Sequence, residues 1–101
     1  MKLKTLKELG LSDGQVSVYS AILELGISSL NKIQEKTGIE RRNIYDILNK
    51  LIERGLVSYT LERGKRVYQC THPNKLLEDI KQKQENLQEL KNEIPNIKEL
   101  Y

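Results

Sequence analysis

The sequence predicts a mainly α-helical fold that contains a small β-hairpin and is followed by a long C-terminal helix. Apolar residues recur at helical spacing in separate stretches before residue 55, and alternate with period 2 directly after it. From residue 73 onward the apolar spacing changes to a heptad pattern. With 101 residues, the chain is long enough for one small domain and an appendage. We expect residues 1–72 to form the domain and residues 73–101 the helix.

Composition allows only a modest core and excludes several classes of protein. The chain is 38% hydrophobic without Trp or Phe, and its net charge of +3 is mild. Between Glu40 and Arg66, however, seven Lys and Arg residues face four Asp and Glu residues, so the positive excess is concentrated in the middle third. A single Cys and a single His exclude an intrachain disulfide and a zinc site. No apolar run approaches the roughly 18 residues that span a membrane, which favours a cytoplasmic protein.

Catalytic and cofactor-binding patterns are missing from the sequence. It contains no Gly-rich phosphate loop, no paired carboxylates in a cleft pattern and no metal-ligand cluster. Cys70 and His72 lie close together, but a strand position and a helix cap explain them without a catalytic role. We therefore expect no cofactor, no metal and no enzyme activity.

Two short helices are predicted first, after a leucine-containing lead-in over Met1–Leu11 that can form a turn of helix. Ser12 followed by Gln15 is a capping box, which predicts a helix from about Asp13 to Leu25 that ends at Gly26. Ser28 or Ser29 then caps a second helix that reaches about Thr37 and ends at Gly38.

A third helix follows after only Gly38, Ile39 and Glu40, and spans about residues 41–54. Ile44, Ile47, Leu48 and Leu51 recur at i, i+3, i+4 and i+7, which makes one buried stripe. Gly55 suits the position after the helix because it enters the left-handed conformation without a Cβ penalty. Two short helices joined by a Gly-containing turn form a helix-turn-helix, whose second helix can enter the DNA major groove.

The outer face of the third helix carries side chains of the types that proteins use to read DNA. Arg grips guanine with two hydrogen bonds, Asn pairs with adenine, and Tyr or Arg holds phosphates. An Asp is compatible with DNA contact only if its carboxylate accepts a hydrogen bond from cytosine or orients a neighbouring Arg. An ordinary solvated helix face is the alternative, but the Gly turn before the helix and the basic hairpin after it favour DNA contact. The predicted DNA-binding residues of this helix are Arg41, Arg42, Asn43, Tyr45, Asp46 and Asn49.

A β-hairpin follows the third helix. The alternation of Val57, Tyr59 and Leu61 predicts a half-buried strand, residues 62–66 a turn, and Val67–Cys70 a second strand. A helix-turn-helix followed by a hairpin is the winged helix-turn-helix order. The basic tip of the wing carries Arg63, Lys65 and Arg66, which can reach the flanking phosphates or the minor groove. Charges of this kind also occur on hairpin tips merely because the tips are exposed.

A heptad seam begins after Pro73. The series Leu76, Ile80, Lys83, Leu87, Leu90, Ile94, Ile97, Tyr101 advances alternately by four and three residues. Leu76, Leu77 and Ile80 are expected to touch the domain, whereas the residues beyond them extend past what a small domain can cover. Packing back on the domain is the alternative to a homodimer, and neither orientation of the paired helices is settled. Pro95 predicts a kink or an end near Glu93 or Ile94. The predicted dimerisation residues are Leu76, Ile80, Leu87, Leu90 and Ile94.

These residues resemble the DNA-binding domain of the TrmB-like archaeal transcriptional regulators. Leu11-Ser12 leading into residues 18–26 is similar to the first helix of that family, and Thr37-Gly38-Ile39 with residues 42–57 to its recognition segment. Val67-Tyr68 and His72-Pro73 with Leu76-Leu77 match its passage from wing to final helix. The elements are shared with the MarR and ArsR groups, but the surroundings of Tyr19 and Tyr45 favour the TrmB-like family.

The resemblance implies a transcription factor that reads double-stranded DNA through residues 41–49. Larger members carry a C-terminal sugar-binding domain, whereas this sequence ends at Tyr101, so no small-molecule effector can be inferred. Glu40 stands where the family usually has a small residue or Pro. Its negative charge interacts favourably with the dipole at the helix N-terminus but unfavourably with a nearby phosphate. The competing interpretation is a winged-helix adaptor of the transcription machinery that binds proteins and lacks sequence-specific DNA binding.

Overall fold

The computed structural model describes residues 3–101, so the first two residues of the predicted lead-in lie outside it. The fold is mainly α-helical with a β-hairpin, as predicted, and a short third strand that was not predicted completes a small antiparallel sheet. The elements in chain order are a 3-10 helix Leu3–Leu9, α1 Asp13–Leu25, β1 Ser28–Ser29, α2 Leu30–Thr37, α3 Arg41–Glu53, β2 Val57–Glu62, β3 Lys65–Cys70 and α4 Asn74–Leu100.

The helix ends follow the capping signals. Ser12 N–H donates to Gln15 Oε1 at 3.0 Å and Gln15 N–H donates to Ser12 Oγ at 3.2 Å, which completes the predicted capping box of α1. Ser29 caps α2 by accepting from Lys32 N–H at 3.3 Å. Of the two predicted caps, Ser29 is therefore the N-cap, and both serines also form β1. The predicted bounds of α1 are confirmed, and those of α2 and α3 are confirmed to within one residue.

A mostly aliphatic core, which also contains two tyrosines, packs α1, α2 and α3 against the sheet. The predicted stripe of α3 is buried at Ile44, Leu48 and Leu51, whereas Ile47 is half-buried at its edge. Because these side chains fix the inner face of α3, its polar face must point outward. The other fully buried large side chains come from α1, α2, the sheet and the residue just before β2: Val18, Tyr19, Ile22, Ile33, Leu56, Val57 and Tyr68.

The sheet has the order β1-β3-β2, and its hairpin is tighter than predicted. Glu62 pairs with Lys65, so the turn contains only Arg63 and Gly64, and β3 begins two residues before Val67. Val57 is buried but Tyr59 and Leu61 are exposed, because the hairpin projects beyond the core. The predicted strand is therefore confirmed, while its predicted half-burial holds only at its base.

The long helix α4 continues through Pro95 to Leu100, so an end near Glu93 or Ile94 was a wrong expectation. Proline lacks one backbone donor and costs about 3 kcal/mol in a helix interior. Helical bonding nevertheless resumes after it, since Tyr101 N–H donates to Ile97 O at 3.0 Å. None of the helices within residues 3–101 is both long and apolar enough to cross a membrane.

A charged joint connects α4 to the domain. Asp79 accepts from Lys75 Nζ at 2.7 Å and lies 3.7 Å from Arg54 Nη2 at the end of α3. Lys83 reaches back to the carbonyl and carboxylate of Glu8. Leu76 packs against the core as predicted. Leu77 and Ile80, the other two residues predicted to touch the domain, are 63% and 41% exposed.

Candidate nucleic-acid interface

The outer face of α3 presents the polar residues that the sequence predicts for DNA contact. Arg42, Asn43 and Asn49 are exposed. Asp46 is exposed as well, and its Oδ2 lies 3.5 Å from Lys50 Nζ one turn further on. The positive charge of Lys50 thus offsets the negative charge of Asp46, which would otherwise repel phosphates. A helix face of this composition offers hydrogen-bond donors and acceptors to base edges.

Arg41, at the head of α3, has a different setting from Arg42. Its Nη1 donates to Asn31 Oδ1 of α2 at 2.7 Å. Its guanidinium carbon lies 5.9 Å from the ring centroid of Tyr45, one turn along α3. Two neighbours therefore hold the Arg41 side chain on one flank of the helix.

The wing, Val57–Cys70, carries its cations on an ordered turn and a short aromatic stack. Arg63 and Gly64 have φ values of 53° and 77°, the positive pair that a type I′ turn requires. Arg66 lies with its guanidinium carbon 4.0 Å from the ring centroid of Tyr59. The ring of Tyr59 in turn lies beside the ring of Tyr68, with the two centroids 6.4 Å apart. The side chain of Arg66 is thereby held against the face of the sheet.

A groove lies between the head of α3 and the wing. Its volume is about 370 Å³. It contains three cationic side chains, and none of its lining residues is acidic. The short strand β1 shapes it, because Ser28 and Ser29 pair with Tyr68 and Val67 and thus hold the start of α2 beside β3. The lining residues, which we call the basic groove, are Ser29, Leu30, Asn31, Arg41, Tyr45, Lys65, Arg66 and Tyr68.

Sequence reasoning did not identify Asn31, Tyr59 or Tyr68 as neighbours of the interface. Asn31 is ten residues from Arg41, and the packing of α2 against α3 brings them together. The two-residue strand β1 shows no periodicity that a sequence pattern can reveal. The alternation of β2 and β3, by contrast, placed Tyr59 and Tyr68 in strands but did not give their register.

The seam on α4 is open to solvent beyond the joint. Ile80 and Ile94 are exposed, and Leu87 and Leu90 are 53% and 54% exposed. Of the five predicted dimerisation residues, the structure thus places Leu76 against the domain and the other four on an uncovered helix face.

Cys70 has the structural surroundings of an inert thiol. Its Sγ–H donates to Tyr19 O at 3.6 Å, and burial raises its pKa from 9.0 to about 11. Such a thiol stays protonated at neutral pH, so it is a poor nucleophile. Within residues 3–101, no group of three or more His, Cys, Asp or Glu side chains has an arrangement that could hold a metal ion.

Comparison with known proteins identifies the family. The model of the family described as sugar-specific transcriptional regulator TrmB matches residues 6–74, more than half of the chain. The chain belongs to the TrmB family. This TrmB chain is 30% identical over 80 residues to the HTH-type sugar sensing transcriptional regulator TrmBL1 of Pyrococcus furiosus. The match covers 79% of the chain but only 23% of that relative.

Two solved structures have the same fold. One is TrmBL2, an archaeal chromatin protein, with a TM-score of 0.79 and 22% identity over 96% of this TrmB chain and 39% of its own. The other is a possible transcriptional regulator from Methanosarcina mazei, with a TM-score of 0.75 and 16% identity over 92% of this chain and 85% of its own. Both likenesses include most of α4, so they establish the winged helix together with a long C-terminal helix.

Proposed function

We propose that this TrmB chain is a sequence-specific regulator of transcription that binds double-stranded DNA. The observation that carries the proposal is the pairing of the exposed polar face of α3 with the cationic wing beside it. In this proposal α3 enters the major groove, and the wing contacts the flanking backbone or the minor groove. We propose a cytoplasmic DNA-binding protein that needs no cofactor, rather than an enzyme.

The relatives support the proposal. TrmBL1 is described as a transcriptional regulator, and the TrmBL2 structure is described as showing a novel mode of DNA binding. The turn of the wing adds support from within the chain. Arg63 occupies a left-handed position that costs a non-Gly residue roughly 1–2 kcal/mol. A cation at a position that Gly or Asn fills at lower cost is consistent with a role in contacting phosphate.

The proposed roles of the side chains follow from their positions. On the exposed face of α3, Arg42, Asn43 and Asn49 contact base edges, and Asp46 either accepts from a cytosine or orients Lys50. On the wing, Arg63, Lys65 and Arg66 contact phosphates.

We further propose that two copies pair through α4, with residues 1–72 as the DNA-binding unit and 73–101 as the dimerisation helix. The uncovered seam at Leu87 and Leu90 supports this arrangement. A two-fold dimer predicts inverted-repeat operators whose half-sites lie about one helical turn, or a multiple of it, apart. Footprinting that shows one asymmetric half-site would contradict the dimer but not DNA binding.

Selection of bound sequences from a random DNA pool tests the central proposal. With the selected site in hand, Arg42→Ala should relax preference at one base pair by about 1–3 kcal/mol. Arg66→Ala should weaken all sequences alike and lower the salt slope by about 1. Lys81→Ala, which removes an exposed positive charge from α4, is the control. If both arginine variants bind like wild type at every salt concentration, the assignment of the two elements is wrong.

A protein-binding adaptor is the second candidate, and the exposed apolar seam of α4 is the observation that favours it. In that case the seam receives another protein, and the acidic residues Glu40 and Asp46 need not approach phosphate. A gel shift with random duplex DNA distinguishes the two candidates. An adaptor shows no affinity even at low salt, whereas a DNA-binding regulator shows salt-dependent non-specific binding.

A further inference from the structure

We infer that the basic groove holds one strand of the DNA backbone, and that Asn31 is a positioning residue that commits Arg41 to a phosphate rather than to a base. The inference rests on the proposed function and adds to it a path for the backbone and a role for a residue of α2. It also separates Arg41 from the base-contacting residues of α3.

The path follows from the shape of the duplex. A recognition helix in the major groove and a wing beside it over the minor groove are separated by the sugar-phosphate strand between the two grooves. That strand must therefore pass between α3 and the wing. The basic groove is the cavity that lies there, and the residues that line it come from α2, α3 and β3.

The charge of the groove fits this occupant. Arg41, Lys65 and Arg66 all line it, and none of its lining residues is a carboxylate. Three like charges around one cavity repel each other, and a bound anion relieves that repulsion. The outer face of α3 differs, because Asp46 and Glu53 accompany Arg42 and Lys50 there. Positive charge is thus concentrated in the groove rather than on the face that meets the bases.

Asn31 holds the side chain of Arg41 at the basic groove rather than on the outer face of α3. The 2.7 Å hydrogen bond from Arg41 Nη1 to Asn31 Oδ1 and the contact with Tyr45 hold the guanidinium at the groove. One edge of the guanidinium is occupied by Asn31, and its remaining donors are available for phosphate oxygens. An arginine that is fixed before binding loses less rotamer freedom when the phosphate arrives.

The test compares binding of the full chain to its selected duplex, by fluorescence anisotropy at several salt concentrations, for wild type and variants. Asn31→Ala should weaken binding about two- to tenfold, the effect of ordering one flexible side chain, and leave the salt slope unchanged. Arg41→Ala should weaken binding further and lower the slope by about 1. In the Arg41→Ala background, Asn31→Ala should have no further effect, because the two residues act as a unit.

Two comparisons separate positioning from a general structural role. Asn31 is exposed, so Asn31→Ala should unfold at the wild-type temperature, and Asn92→Ala on the exposed face of α4 should match wild type in both assays. Wild-type binding by Asn31→Ala, or additive losses in the double variant, would overturn the role of Asn31. A change of base preference in Arg41→Ala would overturn the phosphate assignment while the proposed function stands. A wild-type chain that binds no duplex DNA would overturn both.

Discussion

The guanidinium carbon of Arg66 lies 4.0 Å from the ring centroid of Tyr59. The two residues are diagonal neighbours on one face of the hairpin, since Leu61 pairs with Arg66 and Tyr59 with Tyr68. A cation above an exposed aromatic ring is stabilised by about 0.5–1 kcal/mol. The wing therefore holds one of its cations in place before any DNA is bound.

Removing the ring should weaken DNA binding without removing a charge. Tyr59→Ala releases Arg66, so we expect affinity to fall about two- to fivefold, less than in Arg66→Ala, because the cation remains but must be ordered on binding. Anisotropy with one duplex at several salt concentrations measures the effect. Tyr59→Phe is the matched control, because it keeps the ring. A loss as large in Tyr59→Phe as in Tyr59→Ala would show that the hydroxyl, not the ring, matters.

The joint between α3 and α4 should depend on Asp79. Its side chain is only 18% exposed and meets both Lys75 and Arg54. Asp79→Ala leaves two partly buried cations without this partner, and we expect a loss of about 1–2 kcal/mol in the free energy of unfolding. Thermal unfolding followed by circular dichroism should show a decrease of several degrees in Tm.

Glu78→Ala is the control for this joint. Glu78 lies 3.9 Å from the same lysine, but its side chain is 74% exposed. Exposed ion pairs contribute little because water screens them, so the Tm of Glu78→Ala should stay close to that of wild type. Equal losses in the two variants would mean that total charge, not the partly buried Asp79 carboxylate, stabilises the joint.

Alkaline pH should destabilise the fold through Cys70. Burial raises its pKa from 9.0 to about 11, so the native state retains a proton that the unfolded chain releases. The protonated Cys70 thiol therefore contributes fully to the free energy of unfolding below pH 9.0, and this contribution is lost as the pH rises through about 11. Burial likewise raises the pKa of Tyr19, which adds to the loss in the same direction. Urea unfolding between pH 8 and pH 11 measures the trend.

Comparison with Cys70→Ala isolates the thiol from the lysines and tyrosines that also titrate in this range. The free energy of unfolding of the variant should fall less steeply with pH than that of wild type. The native thiol should also react slowly with an alkylating reagent at pH 8, since two pKa units lower the thiolate fraction about a hundredfold. Parallel pH curves for the two proteins would show that Cys70 does not contribute.

Local signals determined most of the fold in this chain. The Ser12 capping box, Gly26 and Gly38 each mark a helix end through contacts within a few residues, and the observed ends agree with them. Pro95 shows the opposite case. Its local preference favours a helix end, yet the helical bonding on either side of it carries α4 onward to Leu100.

The candidate site was less accessible to sequence reasoning. Exposure of Arg42 and Asn49 followed from the buried stripe of α3, because a helical period fixes both faces at once. The Arg41 contact with Asn31 depends on the packing of two helices, and the Arg66 contact with Tyr59 depends on hairpin register. A one-residue error in the turn would have reversed the face of every wing residue.

The seam of α4 gives the last prediction, which concerns self-association. Leu87 is 53% exposed at the centre of the seam, and burial of its open half against a second helix contributes of the order of 1 kcal/mol per copy. Leu87→Asp removes this burial in both copies and places two carboxylates in an apolar interface. We therefore expect the dimer Kd to rise roughly a hundredfold, equivalent to about 3 kcal/mol. Sedimentation equilibrium over a range of protein concentrations measures it.

Gln88→Asp introduces the same charge on the neighbouring residue, which lies outside the seam, and should sediment like wild type. Leu87 lies outside the domain core, so Leu87→Asp should keep its affinity for an isolated half-site and lose only the added affinity for the inverted repeat. Such a split separates pairing from DNA contact. A Leu87→Asp protein that remains dimeric would mean that the two copies meet through another surface. A monomeric wild type that binds single half-sites would leave α3 and the wing as the DNA-binding elements and reserve the seam of α4 for a different protein.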